Sequence, residues 1–408
     1  MPILPEAAYR INLPKLTGVR QIFEAPVVDD VVVAVQKEFA TVQHLVRPGM
    51  RVAITVGSRG IANLSLMVKT LGIELRRVGA EPFVVPAMGS HAGATAEGQR
   101  NFLAGYGVTL EETGLPVKAS MDVVQVGETD RKIPVFFDRI AFEADMVVPV
   151  ARVKPHTDFR GPIESGLCKM LAIGLGKHTG CSRLHEEGFG QFDHLIPDVA
   201  EVILRHCPIG FGLAVLENAY DQTARLKMVP AEQFLQAEPA LLQSAKKMMA
   251  RILVDKIDVL VVGEIGKDIS GAGMDPNIIG RTTEGVLSGF SGPAIQKIVV
   301  LDLSEKTHGN ACGIGVADFT TEQARKKIDI MATYANCIAS ANPRTGAIPI
   351  VLQDREEAIR AAIQTCTGVD RQRLRMVFIK NTLELGRIEV SDSVLESIRH
   401  RPDIVVEE

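Results

Sequence analysis

The chain has 408 residues, 46% of them apolar, a formal net charge of -4 and only 5% aromatic side chains. That length fits two or three domains with real cores, while the faintly acidic balance and the absence of Trp exclude a general nucleic-acid binder and a stacking platform for single strands. Six cysteines without a CxxC pair argue against a zinc ribbon or a disulfide framework, so a reducing, cytoplasmic setting is expected. The opening "MPILPEAAYRINLPKL" lacks the basic and then apolar build of a secretory leader, no apolar run reaches about 18 residues, and no membrane partner is expected.

In chain order, "RVAITV" (51 to 56) reads as a buried strand running into "GSRGIANLSLMVKTLGIELRRVG", where a Gly-Ser-Arg-Gly turn opens a helix with apolar residues at helical spacing. "PFVVPA" (82 to 87) is the next strand and ends in "MGSHAGATAEGQRNFLAGYG", a polar loop followed by a helix from about Thr95. "ADMVVPVARV" (144 to 153) is a third strand, and it delivers "RVKPHTDFRGPIESGLCKMLAIGLGKHTGCSRLHEEGF" (152 to 189) at its C-terminal end. A helix at "DHLIPDVAEVILRH", a strand at "GFGLAVLENAYD" and a helix at "EPALLQSAKKMMARIL" follow. A second set, "IDVLVVGEIG", "KIVVLDL", "AIPIVL" and "RMVFIKN", begins near residue 257.

Short β-branched runs alternating with amphipathic segments predict an α/β protein of two domains, residues 1–250 and 251–408, with largely parallel sheets flanked by helices. Ligands of such sheets bind at the carboxyl ends of the strands. The glycine-rich loops Gly57 to Gly60, Gly89 to Thr95, Lys154 to Lys169 and Gly263 to Arg281 all follow strands, so an active site in an interdomain cleft is expected.

His91 in "GSHAG" and His156 in "KPHTDF" occupy equivalent places just past strands. Each alone reads as a structural hydrogen-bond donor. Together they suit proton exchange with one substrate from two sides, since imidazole titrates at about pH 6.5. Lys169 stands in apolar, small surroundings, where desolvation would make its amine nucleophilic; a phosphate or carboxylate clamp is the alternative. His178, His185, Cys168 and Cys181 fit no tetrahedral zinc spacing, although one imidazole could add a ligand to a metal held mainly by something else. Arg59, Lys267 and Arg281 offer cations for a carboxylate, with a loop-fixing ion pair as the plainer role of Arg281. His308 reads as structural.

Residues 51 to 59, 86 to 104, 144 to 189 and, more weakly, 257 to 281 resemble the nickel-pincer-nucleotide lactate racemases. "SHAGATAEGQRNFL" is similar to that family's loop histidine and helix start, and "KPHTDFRGPIESGLCK" to its second histidine loop ending in lysine. The resemblance implies His91 and His156 as acid/base residues, Lys169 as the covalent anchor of the nickel-pincer nucleotide with Ser58 and Arg59 near it, and His185 as nickel ligand. His185 stands where the family's ligand falls, sixteen residues after the lysine. It further implies substrate contacts from Arg59, Lys267 and Arg281, and dependence on cofactor-synthesis proteins. Departures are a longer loop between His156 and Lys169, Val56 where the family has an acidic residue, and no match to the residues that grip lactate.

The implied activity is racemisation or epimerisation of a 2-hydroxy acid by reversible hydride transfer through a 2-keto acid, which avoids a carbanion beside a carboxylate. A metal-dependent hydrolase or lyase using the loop histidines, and a noncatalytic nucleotide or anion binder, are the other readings.

Overall fold

The structure is a computed structural model and describes residues 4–58, 60–283 and 292–407. Two compact units divide the chain: residues from Glu24 to Met249, and the residues up to Phe23 joined with those from Ala250 onward. The first strand, β1 (Leu16–Gln21), therefore belongs with the end of the chain and not with the elements that follow it. This corrects the grouping of residues 1–250. The reason is pairing: the backbone of β1 is taken up by two strands near the C-terminus.

In the first unit, β2 (Arg51–Val56), β3 (Glu81–Pro86), β6 (Met146–Arg152), β7 (Phe211–Glu217) and β8 (Thr223–Pro230) form one sheet in the order β3-β2-β6-β7-β8. All neighbours are parallel except β7 and β8. β4 (Val123–Glu128) and β5 (Pro134–Asp138) make a separate antiparallel pair.

Alternation along the central strands divides their side chains between two cores. Val52, Ile54 and Val56 of β2 join Met146, Val148 and Val150 of β6 on one side, while Ala53 joins Val147 and Ala151 on the other. Strands apolar on both faces need a cover on both faces, which βαβ crossovers supply. One side is covered by α1 (Val31–Val42) and α2 (Leu64–Arg77). The helix beginning near Thr95 is α3 (Ala96–Ala104); the Thr95 hydroxyl accepts from Gly98 N at 3.0 Å and so caps it. On the other side lie α4 (Lys177–His185), α5 (Phe192–His206) and α6 (Phe234–Met248).

The second unit holds an eight-stranded sheet. β9 (Lys256–Ile265), β10 (Ala294–Leu303), β11 (Phe319–Thr321), β12 (Ile350–Leu352) and β13 (Met376–Ile379) are parallel. β14 (Arg387–Ser391), β1 and β15 (Ile404–Val406) continue it antiparallel, giving the order β12-β11-β10-β9-β13-β14-β1-β15. Among the described residues no helix is long and apolar enough to cross a membrane.

Candidate active site

The parallel strands β2, β3 and β6 end side by side at Val56, Pro86 and Arg152, so the loops after them emerge at one edge of the sheet, where α/β proteins bind ligands. These loops and the segment up to His185 lie within the first unit.

His156 sits in a loop closed at its base by two backbone bonds, Lys154 N to Ser165 O at 3.0 Å and Ser165 N to Lys154 O at 3.2 Å. Inside the loop the Glu164 carboxylate is fully buried. It accepts from His156 N at 2.7 Å, lies 3.2 Å from Arg160 Nη1 and receives Lys246 Nζ of α6 at 2.6 Å. Two cations on one buried carboxylate meet its desolvation, and removing either would leave charge exposed to an apolar setting. The ring of His156 packs on Phe159, with centroids 4.5 Å apart, and its Nδ1 accepts from Asp158 N at 3.1 Å. A ring with its proton on Nε2 accepts that bond, and a ring protonated on Nδ1 faces the Asp158 carboxylate at 3.5 Å instead.

Lys169 ends the helical turn Leu167–Lys169 and is half-buried. Glu238 of α6 caps that turn, accepting from Cys168 N at 2.9 Å. Gly166 is required by closeness, since a Cβ there would stand 2.4 Å from Glu238 Oε1. Burial pushes the Glu238 carboxyl up to about 7, opposed by the amides of Cys168 and Leu167. After Lys169 the chain runs through a π-helical segment, Met170–Gly174, of the kind that often marks functional sites.

His185 is the last residue of α4. Its Nδ1 donates to Cys181 O at 2.6 Å, which in the neutral ring leaves the lone pair on Nε2. Cys181 Sγ lies 3.5 Å from the same nitrogen and 3.8 Å from Ser90 Oγ. Burial pulls His185 down, but the hydrogen bond and charge of Cys181 outweigh it and leave the imidazole above its usual range, with the Lys169 charge opposing. Burial pushes the Cys181 thiol up, yet His185 and then Ser90 bring it below its ordinary value. The Lys169 ammonium thus lies within electrostatic reach of His185. Phe189 packs against both histidines, 6.0 Å from His156 and 5.3 Å from His185 by ring centroids.

His91 follows β3. Its Nδ1 donates to Met88 O at 2.9 Å, so the neutral ring keeps its lone pair on Nε2. The loop presses on the segment between Lys169 and His185: Gly89 N donates to Gly174 O at 3.1 Å, and a Cβ on Gly89 would lie 3.2 Å from Cys181 Sγ. The β2 loop joins them, since a Cβ on Gly57 would meet Met170 Cε at 3.0 Å. Ser58 is half-buried and its carbonyl accepts from Tyr106 OH at 3.3 Å. Arg59 lies outside the described residues.

The first unit therefore gathers the loops of Ser58, His91 and His156 about the Lys169 to His185 segment. Lys267 and Arg281 belong to the second unit. Lys267 Nζ donates to Gly271 O, and Arg281 pairs with Asp318 at 2.8 Å and donates to the Ile295 and Gln296 carbonyls at 3.0 and 2.9 Å. That guanidinium is committed to fixing its own loop. His178 is exposed beside Ser182, and His308 is exposed with a left-handed backbone.

Sequence reading passed over Lys177, Glu164, Glu238 and the pair of Arg152 with the buried Glu217, whose Oε1 accepts from Ala62 N at 2.6 Å. A charged residue in an otherwise apolar or glycine-rich run was the available signal for Lys177. Glu238 carried none, standing in an ordinary amphipathic helix. Among the described residues no group of three or more His, Cys, Asp or Glu is placed to hold a metal ion.

Residues 24–191 match the family of the lactate racemase N-terminal domain. No curated protein matches the chain. Among solved structures, the lactate racemase apoprotein from Thermoanaerobacterium thermosaccharolyticum superposes with a TM-score of 0.55 at 12% identity, over 91% of this chain and 99% of that one. At that identity the likeness speaks for the fold.

Proposed function

Because the chain is a homologue of the lactate racemases, its residues 24–191 matching that family's N-terminal domain, we propose that it is a racemase-type isomerase acting on a 2-hydroxy acid. The observation that carries this reading is the gathering of the two histidine loops about the segment from Lys169 to His185 inside the first unit. A reducing, cytoplasmic setting, with no nucleic acid or membrane as partner, belongs to the same reading.

The residues fit a nickel-pincer nucleotide. Lys169 offers an amine at the end of a capped turn for covalent attachment, and His185 offers an Nε2 lone pair, a donor that suits nickel. When bound, that group supplies a hydride acceptor for the α-hydrogen of the substrate.

The chain's own work is with protons. His91, with Nδ1–H held by Met88 O, carries the Nε2 lone pair that would take the hydroxyl proton of one stereoisomer. His156 in its charged form would hold one proton on Nδ1 toward the Asp158 carboxylate and return the other, on Nε2, to the carbonyl oxygen of the planar 2-keto acid, which leaves a neutral ring with its lone pair on Nε2. In the opposite direction the two exchange roles. Each such group is typically worth about 10²- to 10⁴-fold in rate.

The deciding experiment uses the full chain purified from cells that make the cofactor. Intact mass should report an adduct that Lys169→Ala lacks, and a panel of 2-hydroxy acids should show one whose stereochemistry is scrambled by the loaded protein. Metal bound without an adduct would favour the hydrolase, and neither adduct nor metal the noncatalytic binder.

A further inference from the structure

Lys177 is fully buried and holds a left-handed backbone, φ 53°. Its ammonium donates to Pro86 O at 2.5 Å and to Gln99 Oε1 at 3.1 Å, and lies 3.1 Å from Asp138 Oδ2. Asp138 is fully buried as well, and its other oxygen accepts from Ala141 N at 2.7 Å. Burial pulls Lys177 down and pushes Asp138 up, each opposed by the charge of the other.

Three acceptors from three elements surround one cation: the end of β3, the body of α3 and the end of β5. Their positions are tied together, because a buried ammonium that lost one would be left with unmet donors. A non-glycine residue held at positive φ is strained, and such strain survives only where the surroundings fix it. The orientation of the Gln99 amide follows. With its oxygen taken by Lys177, its nitrogen donates to Gly89 O at 2.9 Å and to His91 O at 3.4 Å.

We infer that Lys177, acting through Gln99, is the positioning device that sets the backbone of His91 relative to α4. Lys177 opens that helix and His185 closes it, eight residues and about 12 Å along a rigid rod. One element thus fixes both the acid/base loop at its first residue and the metal-facing nitrogen at its last. The inference rests on the reading of His91 as an acid/base residue.

The test is Gln99→Met in the full chain, which keeps the volume and removes the relay, with Gln99→Glu as a second variant that still accepts from Lys177 but cannot donate to the loop. Three quantities are read: kcat and KM of the loaded enzyme, amide exchange of the apoprotein, and the pH titration of its histidine rings by NMR. A displaced group near the chemistry can cost about 10²-fold, so kcat should fall about 10- to 100-fold with KM within about threefold. The adduct mass should be unchanged. Exchange should rise only in residues 86–95, and the His91 titration should move while those of His44 and His400 stay. Wild-type kcat, exchange and titration in the variants would overturn the inference, and so would loss of protection throughout residues 24–249, which marks a general core contact. If Gln99→Met does not fold, Gln99→Glu decides. Full activity of His91→Ala would sink the acid/base reading instead, while exchange and titration still judge the positioning.

Discussion

At residue scale, three imidazoles of the first unit are told apart by what their Nδ1 atoms touch. A carbonyl holds Nδ1–H in His91 and His185, whereas an amide donates to Nδ1 in His156. The same side chain can thereby serve as base, ligand or acid without changing its chemistry, the roles proposed for these three. His185→Ala should therefore abolish nickel binding, read by metal analysis, while the Lys169 adduct remains by intact mass. His91→Ala and His156→Ala should each lower turnover by at least about 10²-fold with nickel still bound. Full activity in either variant would reject the paired assignment. The sequence displays these residue types and their spacing from strands, but the tautomers depend on the carbonyls of Met88 and Cys181, which any residue would supply.

At the scale of elements, α6 supports the site from a distance: Glu238 caps the Lys169 turn and Lys246 completes the charge balance around Glu164. Gly166→Ala would drive a methyl against the Glu238 carboxyl and should cost about 1 to 3 kcal/mol, visible as a lower Tm and slower adduct formation. The raised pKa of Glu238 gives a pH signature with a definite sign. Below about pH 4.5 the group is protonated folded and unfolded, and it costs nothing; as pH rises toward 7 the unfolded chain ionises first, and wild-type stability declines. Glu238→Gln keeps an oxygen for the turn and cannot ionise. Its advantage in denaturant melts should grow between pH 4.5 and 7, to at most about 3 kcal/mol, then level off. An advantage independent of pH would refute this. Capping by a remote carboxylate is invisible to sequence periodicity, because a helix pattern shows which face is apolar but not which polar group reaches another element's amides. The helices and parallel strands themselves were legible, since both-face burial leaves continuous apolar runs such as "RVAITV" and "ADMVVPV".

At the scale of the molecule, the order of strands in space departs from their order in the chain. The hairpin of β4 and β5 and the antiparallel strands β14, β1 and β15 went unread because their alternation is short and broken by charge, as in "LTGVRQ" and "RIEVS". β1 pairs Leu16 with Ser391 on one side and Gln21 with Ile404 on the other. Deleting residues 1–23 should raise amide exchange across residues 387–407 and leave residues 24–249 protected; unchanged exchange in the C-terminal strands would contradict the pairing.

That same placement sets a timetable for biosynthesis. A ribosome adding about 5 to 20 residues per second makes the opening strand wait on the order of tens of seconds before its neighbours exist. The unit beginning at Glu24 contains all of its own strands and can close during that interval. Lys169 would then be presented on a finished scaffold while the other sheet still lacks its last partners.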